Sequence, residues 1–465
     1  MAEYSSASRA DLLQRIIDLE GQLARHNQSA TAPAPAPAPA PESTDSLVKG
    51  SRSTKIRLTR REILEQKPLR QLDFSRYVHK YVAFKYAYLG WHYNGLVTQN
   101  MPTEFPTVEE EIFKALLKTK MIQHPDECNF SRCGRTDKGV SAMGQVMALR
   151  VRTNVLLEDA ETSTVAPKYI EQLNGCLPRT IRILAYDDRI ADDFSARFSC
   201  VKRHYKYLIH PAVIGSTPLD IKAMNEACKL LEGDHDFRNF CKLDTSKQIT
   251  NFKRIILRCS ITPLEPACGD PLKDLMVLDL EGTAFLWHQV RCITATLLAI
   301  GRGHEQPSLI TQLLNVEQVP TKPSYEMAND LPLTLYDTDF GDKVKWQYGQ
   351  YADRFAAISF ATYHESLLQE TISSWLVRAA LDSAAGYAAQ HPGAKGTNDD
   401  GLDTLRQTLM NGIDIGDGHI KPWREYTPVM KRKRGDLPEE VNARYAARME
   451  RRDELRKTQD TDMAD

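Results

Sequence analysis

Three short segments combine residue types able to do chemistry. The first, Ser131 to Ala142, sets Arg135, Thr136, Asp137 and Lys138 between Gly134 and Gly139. Two glycines, a hydroxyl and mixed charges in so short a span describe a tight polar loop, not a core element. The glycine spacing matches a phosphate-cradling loop, but Val140 and Ser141 stand where that loop needs Lys and then Ser or Thr. What remains is one carboxylate, Asp137, flanked by cations, a candidate nucleophile or base. Composition alone favours the plainer reading, an Asp-Lys-Gly turn.

The second segment runs Ala196-Arg197-Phe198-Ser199 into Arg203-His204-Tyr205-Lys206-Tyr207. Strand alternation puts Arg203, Tyr205 and Tyr207 on one face and His204 and Lys206 on the other. Such a row could stack a base and hold phosphates, or its tyrosines could simply cover a core. The third, Gly282 to Arg291, opens the apolar run Ile293–Ile300. A guanidinium at the head of such a helix needs a carboxylate from elsewhere, unless it snorkels to the surface. HExxH, GxSxG and GxGxxG are all missing, and His235-Asp236 reads as a helix-end turn.

The elements around these segments mix strands with helices. Thr107 and Glu110 form a capping box ahead of an amphipathic helix over 108–118. Strand patterns recur at 79–88, 145–152, 181–186, 203–210, 253–261 and 275–281, with helices over 166–174, 219–232 and 289–301. The helix at 219–232 takes the place in a second half that 108–118 takes in the first. The expected fold is an α/β (α+β) body of two related halves sharing one sheet with much antiparallel pairing.

Outside the body, Leu12, Ile16, Leu19 and Leu23 form a short apolar stripe, and an Ala-Pro tract from Ala32 to Pro41 forms an extended linker. Residues 352–390 read as helix, 391–417 as a Gly/Asp-rich loop, and Lys431–Arg434 opens a charged tail that also fits a nuclear import signal. Four parts are expected: an appendage at 1–75, halves at 76–190 and 191–350, and an extension at 351–465.

Of the 465 residues, 42% are hydrophobic and 26% charged, the profile of a globular protein with ample core material. There is no apolar run of about 18 residues and no basic flank with an apolar region at the N-terminus, so neither a membrane span nor a secretory signal is expected. Nine scattered cysteines without a CxxC pair argue against a disulfide framework and a zinc site, and for an intracellular home. The 60 basic and 61 acidic residues balance, yet Lys49 to Lys85 holds eleven Lys/Arg against three acids. That local excess suits a polyanionic partner.

Taken in order, CGRTDKGVSA, ARFSCVKRHYKY and AFLWHQVR resemble the three signature motifs of the TruA family of tRNA pseudouridine synthases. The resemblance spans about residues 77–346. AYLGWHYNGLVTQ, TVEEEIFKALLKTK, GDHDFRNFCK, LPLTLYD and the lysine at 138 are similar to the eukaryotic branch acting on positions 38 and 39 of the anticodon arm. This resemblance implies two RRM-like halves sharing a continuous antiparallel sheet, with the catalytic cleft between them. It implies that Asp137 is the nucleophile, paired with Arg291, and that Tyr205 lies against the target base. Arg135, Lys138, Arg203, Phe285 and His288 would bind substrate. The resemblance further implies a homodimer on tRNA with no cofactor and no metal, and the basic quartet adds the expectation of a location in nucleus and cytoplasm. The basic excess from Lys49 to Lys85 separately suggests that Lys55, Arg57, Arg60 and Arg61, outside the resemblance, extend the tRNA groove. The rivals are a synthase for other uridines, a tRNA chaperone without turnover, and a metal-dependent nuclease using Asp126, Asp137 and Asp187.

Overall fold

The computed structural model describes residues 72–99, 103–162, 167–211, 218–264, 274–350, 352–390, 412–414, 420–422 and 426–462. The apolar stripe, the Ala-Pro tract and Lys55, Arg57, Arg60 and Arg61 lie outside the described residues.

Strand β1 (Tyr77–Tyr88) is covered on both faces. Val82, Phe84, Tyr86 and Tyr88 enter one buried cluster, while Tyr81 and Ala83 enter a second on the opposite side. Helix α1 (Val108–Lys118) follows, started by the capping box. Thr107 Oγ1 accepts from Glu110 N, and Glu110 Oε2 accepts from Thr107 N. Such a cap contributes about 1 kcal/mol. Then come β2 (Ser131–Arg132), β3 (Ser141–Leu156), α2 (Tyr169–Asn174) and β4 (Ile181–Asp187). The second series is β5 (Lys202–Ile209), α3 (Ile221–Leu231), β6 (Gly233–Asp236), β7 (Lys253–Pro263), β8 (Met276–Gly282), α4 (Gln289–Gly301), α5 (Ser308–Leu314) and β9 (Leu333–Asp339).

The nine strands form one sheet in the order β4-β1-β3-β9-β5-β8-β7-β6, with β2 also on β3. Counting β2, the first series reads fourth-first-third-second across the sheet. The run β9-β5-β8-β7 repeats that order in the second series, so both are β-α-β-β-α-β units. In such a unit the third and fourth strands each oppose the first, and so run the same way. Because β2 is cut to two residues, β9 takes the vacant edge of β3, at Ser141↔Thr334 and Ala142↔Leu335, and pairs parallel to it. The sheet is therefore continuous as expected, but mixed rather than wholly antiparallel.

Helix α4 is buried nearly all round, with Cys292, Ile293, Leu297 and Ile300 in the core of the second half. Each such aliphatic chain contributes about 1.5–3 kcal/mol on burial. Its mount fixes Arg291, one turn inside its N-terminus.

Beyond β9, α6 (Ala352–Gln390) bears out the helix read there. Within the segment read as a loop lies β10 (Gly412–Asp414), paired with β11 (Ile420–Pro422) just beyond that segment, so the expectation is corrected in part. The basic quartet is not a free tail. Ser324 N donates to Lys433 O, and Arg434 bridges Pro323, before α7 (Pro438–Asp462) begins. His235-Asp236, read as a helix-end turn, instead lies in strand β6 paired with β7, with His235 Nε2 on Glu232 O and Asp236 on Arg238.

Candidate active site

The loop carrying Asp137 joins β2 to β3 and is tied down from several sides. The Gln145 side chain bonds both the N–H and the C=O of Gly134, and Tyr88 Oη pairs with Thr136 Oγ1 at 2.7 Å. Leu96 N donates to Thr136 O, and Val140 N to Asp137 O. Gly90 is needed for this packing, because a Cβ there would lie 2.1 Å from Val140 O. Gly139 holds φ +83°, and a Cβ on it would meet Asp330 Oδ1 at 2.7 Å. Asp330 reaches this spot because β9, three residues on, seats its chain beside the start of β3.

Three side chains from the third segment surround the carboxylate. Trp287 Nε1 donates to Asp137 Oδ1 at 3.3 Å, His288 Nε2 lies 3.2 Å from Oδ2, and Arg291 Nη1 lies 3.9 Å from Oδ2. His288 takes a left-handed conformation with φ 61°, which turns its ring back over the loop. Arg291 thus meets a carboxylate, but not Asp137 alone. Its Nη1 is 3.6 Å from Asp330 Oδ2, and its Nε donates to Ala328 O at 2.7 Å. The guanidinium sits between two carboxylates and bonds the chain that leads into β9.

Strand β5 supplies the other wall. As the alternation predicts, Tyr205 faces the cavity and Tyr207 the core, while His204 and Lys206 both reach Asp279 on the opposite face. Tyr205 packs edge-on against Phe285, centroids 5.1 Å apart. Burial pushes the Tyr205 phenol above its ordinary range, outweighing the pull of Arg203. It stays protonated near neutral pH, able to stack or donate but not to act as a phenolate base.

Arg203 has structural partners as well. Its guanidinium donates to the carbonyls of Thr283, Cys133 and Arg197, so beyond lining the cavity it ties the three segments together. Arg135 and Lys138, by contrast, are exposed. Arg135 has no ion-pair partner among the described residues, and Lys138 has only Glu104 at 3.9 Å.

Together these walls enclose a cavity of about 510 Å³ between the two series of strands. Trp287, Asp330 and the 80% exposed Phe198, whose ring is capped by the Arg197 guanidinium, are site residues that the sequence reading passed over. Trp287 and Phe198 lay inside quoted motifs, and a large apolar side chain on a polar loop was the available signal. Asp330 had none. Among the described residues no three His, Cys, Asp or Glu gather as a metal site would require, and Asp187 is committed to Arg189 and Lys345 N.

The sequence places this geometry among known proteins. A sequence model of tRNA pseudouridine synthases matches residues 227–341, which include Arg291 and β9. Over 451 residues, 95% of this chain and 92% of the relative, the chain is 37% identical to a tRNA pseudouridine(38/39) synthase of Saccharomyces cerevisiae. The chain belongs to the tRNA pseudouridine synthases. It is also 41% identical to the Homo sapiens tRNA pseudouridine(38/39) synthase, over 62% of this chain and 61% of that protein. With tRNA pseudouridine synthase A of Methanosarcina mazei it shares 35% identity over 59% of this chain and 90% of that one. The archaeal protein is therefore matched over most of its own length, while a sizeable part of this synthase lies outside the match.

One prediction follows from the new contact. Trp287→Phe keeps the ring and removes the indole donor to Asp137. A hydrogen bond to a partly exposed charge contributes about 1 kcal/mol, so single-turnover pseudouridine formation should slow roughly fivefold. An unchanged rate would show that the indole does not serve the carboxylate.

Proposed function

We propose that this chain converts uridine to pseudouridine at positions 38 and 39 of the tRNA anticodon arm, with Asp137 as the nucleophile. The carrying observation is the Asp137 carboxylate, aimed into a cavity and met by Trp287, His288 and Arg291 from one segment. In the reaction the N1–C1′ bond breaks, the base turns, and a C5–C1′ bond forms. The C5 proton leaves and N1 gains one, so atoms and electrons balance within the uridine and water. Attack of Asp137 on the sugar would hold C1′ while the base turns against Tyr205 and Phe285. The target must leave its stack to enter, at a cost of a few kcal/mol. Arg135 and Lys138 stand exposed at the loop for its phosphates. Tritium release from tRNA labelled at C5 of uridine, followed by carbodiimide mapping, tests the reading. Release with modification only at other uridines would assign the rival specificity, and cut RNA the nuclease.

The same reading divides the body at 76–190 and 191–350, between an appendage at 1–75 and an extension at 351–465; its support is the repeated strand order. It includes a homodimer. Helix α6 carries Phe360, Leu368, Ile372, Trp375 and Leu376 exposed, apolar surface that a second copy would cover. Sedimentation of the full chain should give twice the monomer mass, and Ile372→Glu with Trp375→Glu should give the monomer. A location in both nucleus and cytoplasm rests on the basic quartet, whose Lys431, Lys433 and Arg434 are exposed, and a fluorescent fusion excluded from nuclei would remove it.

Lys55, Arg57, Arg60 and Arg61 are proposed to extend the tRNA groove. Each lost phosphate contact lowers the slope of log K against log salt by about 0.7–0.9. Replacing all four by Ala should therefore flatten it by up to about three units and weaken binding most at low salt. A parent slope would make the stretch a solvated linker.

A further inference from the structure

Beside the catalytic cavity lies a second one, of about 500 Å³, between the second half and the C-terminal segment that folds back on it. Five cations line it: Arg238, Lys242, Lys322, Lys433 and Arg434, against one acid, Asp436. Asp436 is engaged by Arg444, and Arg238 is neutralised by Asp236. The other four have no carboxylate within ion-pair distance among the described residues. Four cations without an ion-pair partner among the described residues around one concavity repel each other, and an anion there relieves the repulsion.

The cations are mounted. Lys322 Nζ donates to Cys292 Sγ at 3.1 Å and lies 4.5 Å over the Tyr325 ring, whose hydroxyl is fixed to Asn239 O. Gly435 N donates to Lys322 O, Ser324 N to Lys433 O, and Arg434 Nη1 to Gln318 O. The C-terminal segment is thus tied to the body so that it closes this cavity. Lys242 links the two sites. Its N–H donates to Trp287 O, and its Nζ lies 5.0 Å from the ring of Trp287, whose indole N–H meets Asp137. A nucleic acid with one nucleotide at Asp137 has its neighbouring phosphates within reach of this charge.

We propose that this cavity binds the phosphodiester backbone of the RNA next to the nucleotide held at Asp137, through Lys242, Lys322, Lys433 and Arg434. It rests on the reading of tRNA as substrate. It gives the Lys431–Arg434 quartet a folded role at the substrate.

The test is tRNA binding by the full chain across a salt series. Lys322→Gln, Lys433→Gln and Arg434→Gln together, with Lys242 left in place beside Trp287, should weaken binding at low salt by at least tenfold. They should also flatten the salt slope by about two to three units, one contact each. The charge-keeping triple Lys322→Arg, Lys433→Arg, Arg434→Lys should restore most of that slope. A parent slope in the Gln triple overturns the proposal. So does an equal loss in the charge-keeping triple, because the damage would then be to the fold of the segment. Inorganic phosphate that raises the melting temperature of the parent but not of the Gln triple, with tRNA slopes equal, would make this a small-anion site and also overturn it. Tritium release by the parent protein is read separately. Its failure would sink the assigned reaction and leave the slope result to decide the cavity.

Discussion

Asp137→Asn should abolish tritium release, by about 10⁴-fold or more, while tRNA affinity stays within tenfold of the parent. Asparagine keeps the shape and can still face Trp287 and Arg291, but its amide is neither nucleophile nor base. Binding draws on many phosphate contacts spread over the surface, so one uncharged replacement in the loop should hardly disturb it. Tenfold corresponds to about 1.4 kcal/mol. A larger loss of affinity would make Asp137 a structural residue of its loop. Tritium release near the parent rate would remove Asp137 as the nucleophile, whereas a variant that releases no tritium yet fully restores function in cells would favour the tRNA chaperone without turnover.

Arg291→Leu is expected to cost both activity and stability. The guanidinium is largely covered, lies between Asp137 and Asp330, and bonds Ala328 O, whereas the two carboxylates keep some contact with water. Stripping the cation from a fully buried pair costs about 3–5 kcal/mol, and partial exposure should reduce this to about 2 kcal/mol. The two carboxylates left facing the loop would repel each other, and the chain entering β9 would lose its tie to α4. Urea unfolding should report the drop, and single-turnover rates should fall at least a hundredfold. Asp330→Asn in the same background should recover part of the stability, because it removes one of the two repelling charges. An unchanged midpoint and rate for Arg291→Leu would show that the pairing has no consequence.

Much of this protein is legible along the chain because it is local. A capping box, a buried helix with an arginine at its head, and period-two strands are set by neighbours within a few residues. Hence α1 and α4 fall where expected, and Tyr205 and Tyr207 face as alternation requires. The three motifs likewise name Asp137, Arg291 and Tyr205, but only through their resemblance to the family's motifs, because residue types and spacing alone fit plain structural readings equally well.

What only the tertiary structure decided is long-range. The parallel seam of β9 on β3 depends on β2 being cut short, and two residues of strand leave no pattern that a sequence can display. That seam carries Asp330 to Gly139 and makes Arg291 a shared partner, across nearly two hundred residues of chain. Arg203 reads as a candidate phosphate ligand, and only the fold shows the three carbonyls that its guanidinium meets. Periodicity says which face a side chain takes, but pairing between distant segments sets what it meets there. Lys431–Arg434 shows the same division. Its charge is evident from the residues alone, but its place against Lys322 exists only because the extension folds back onto the body.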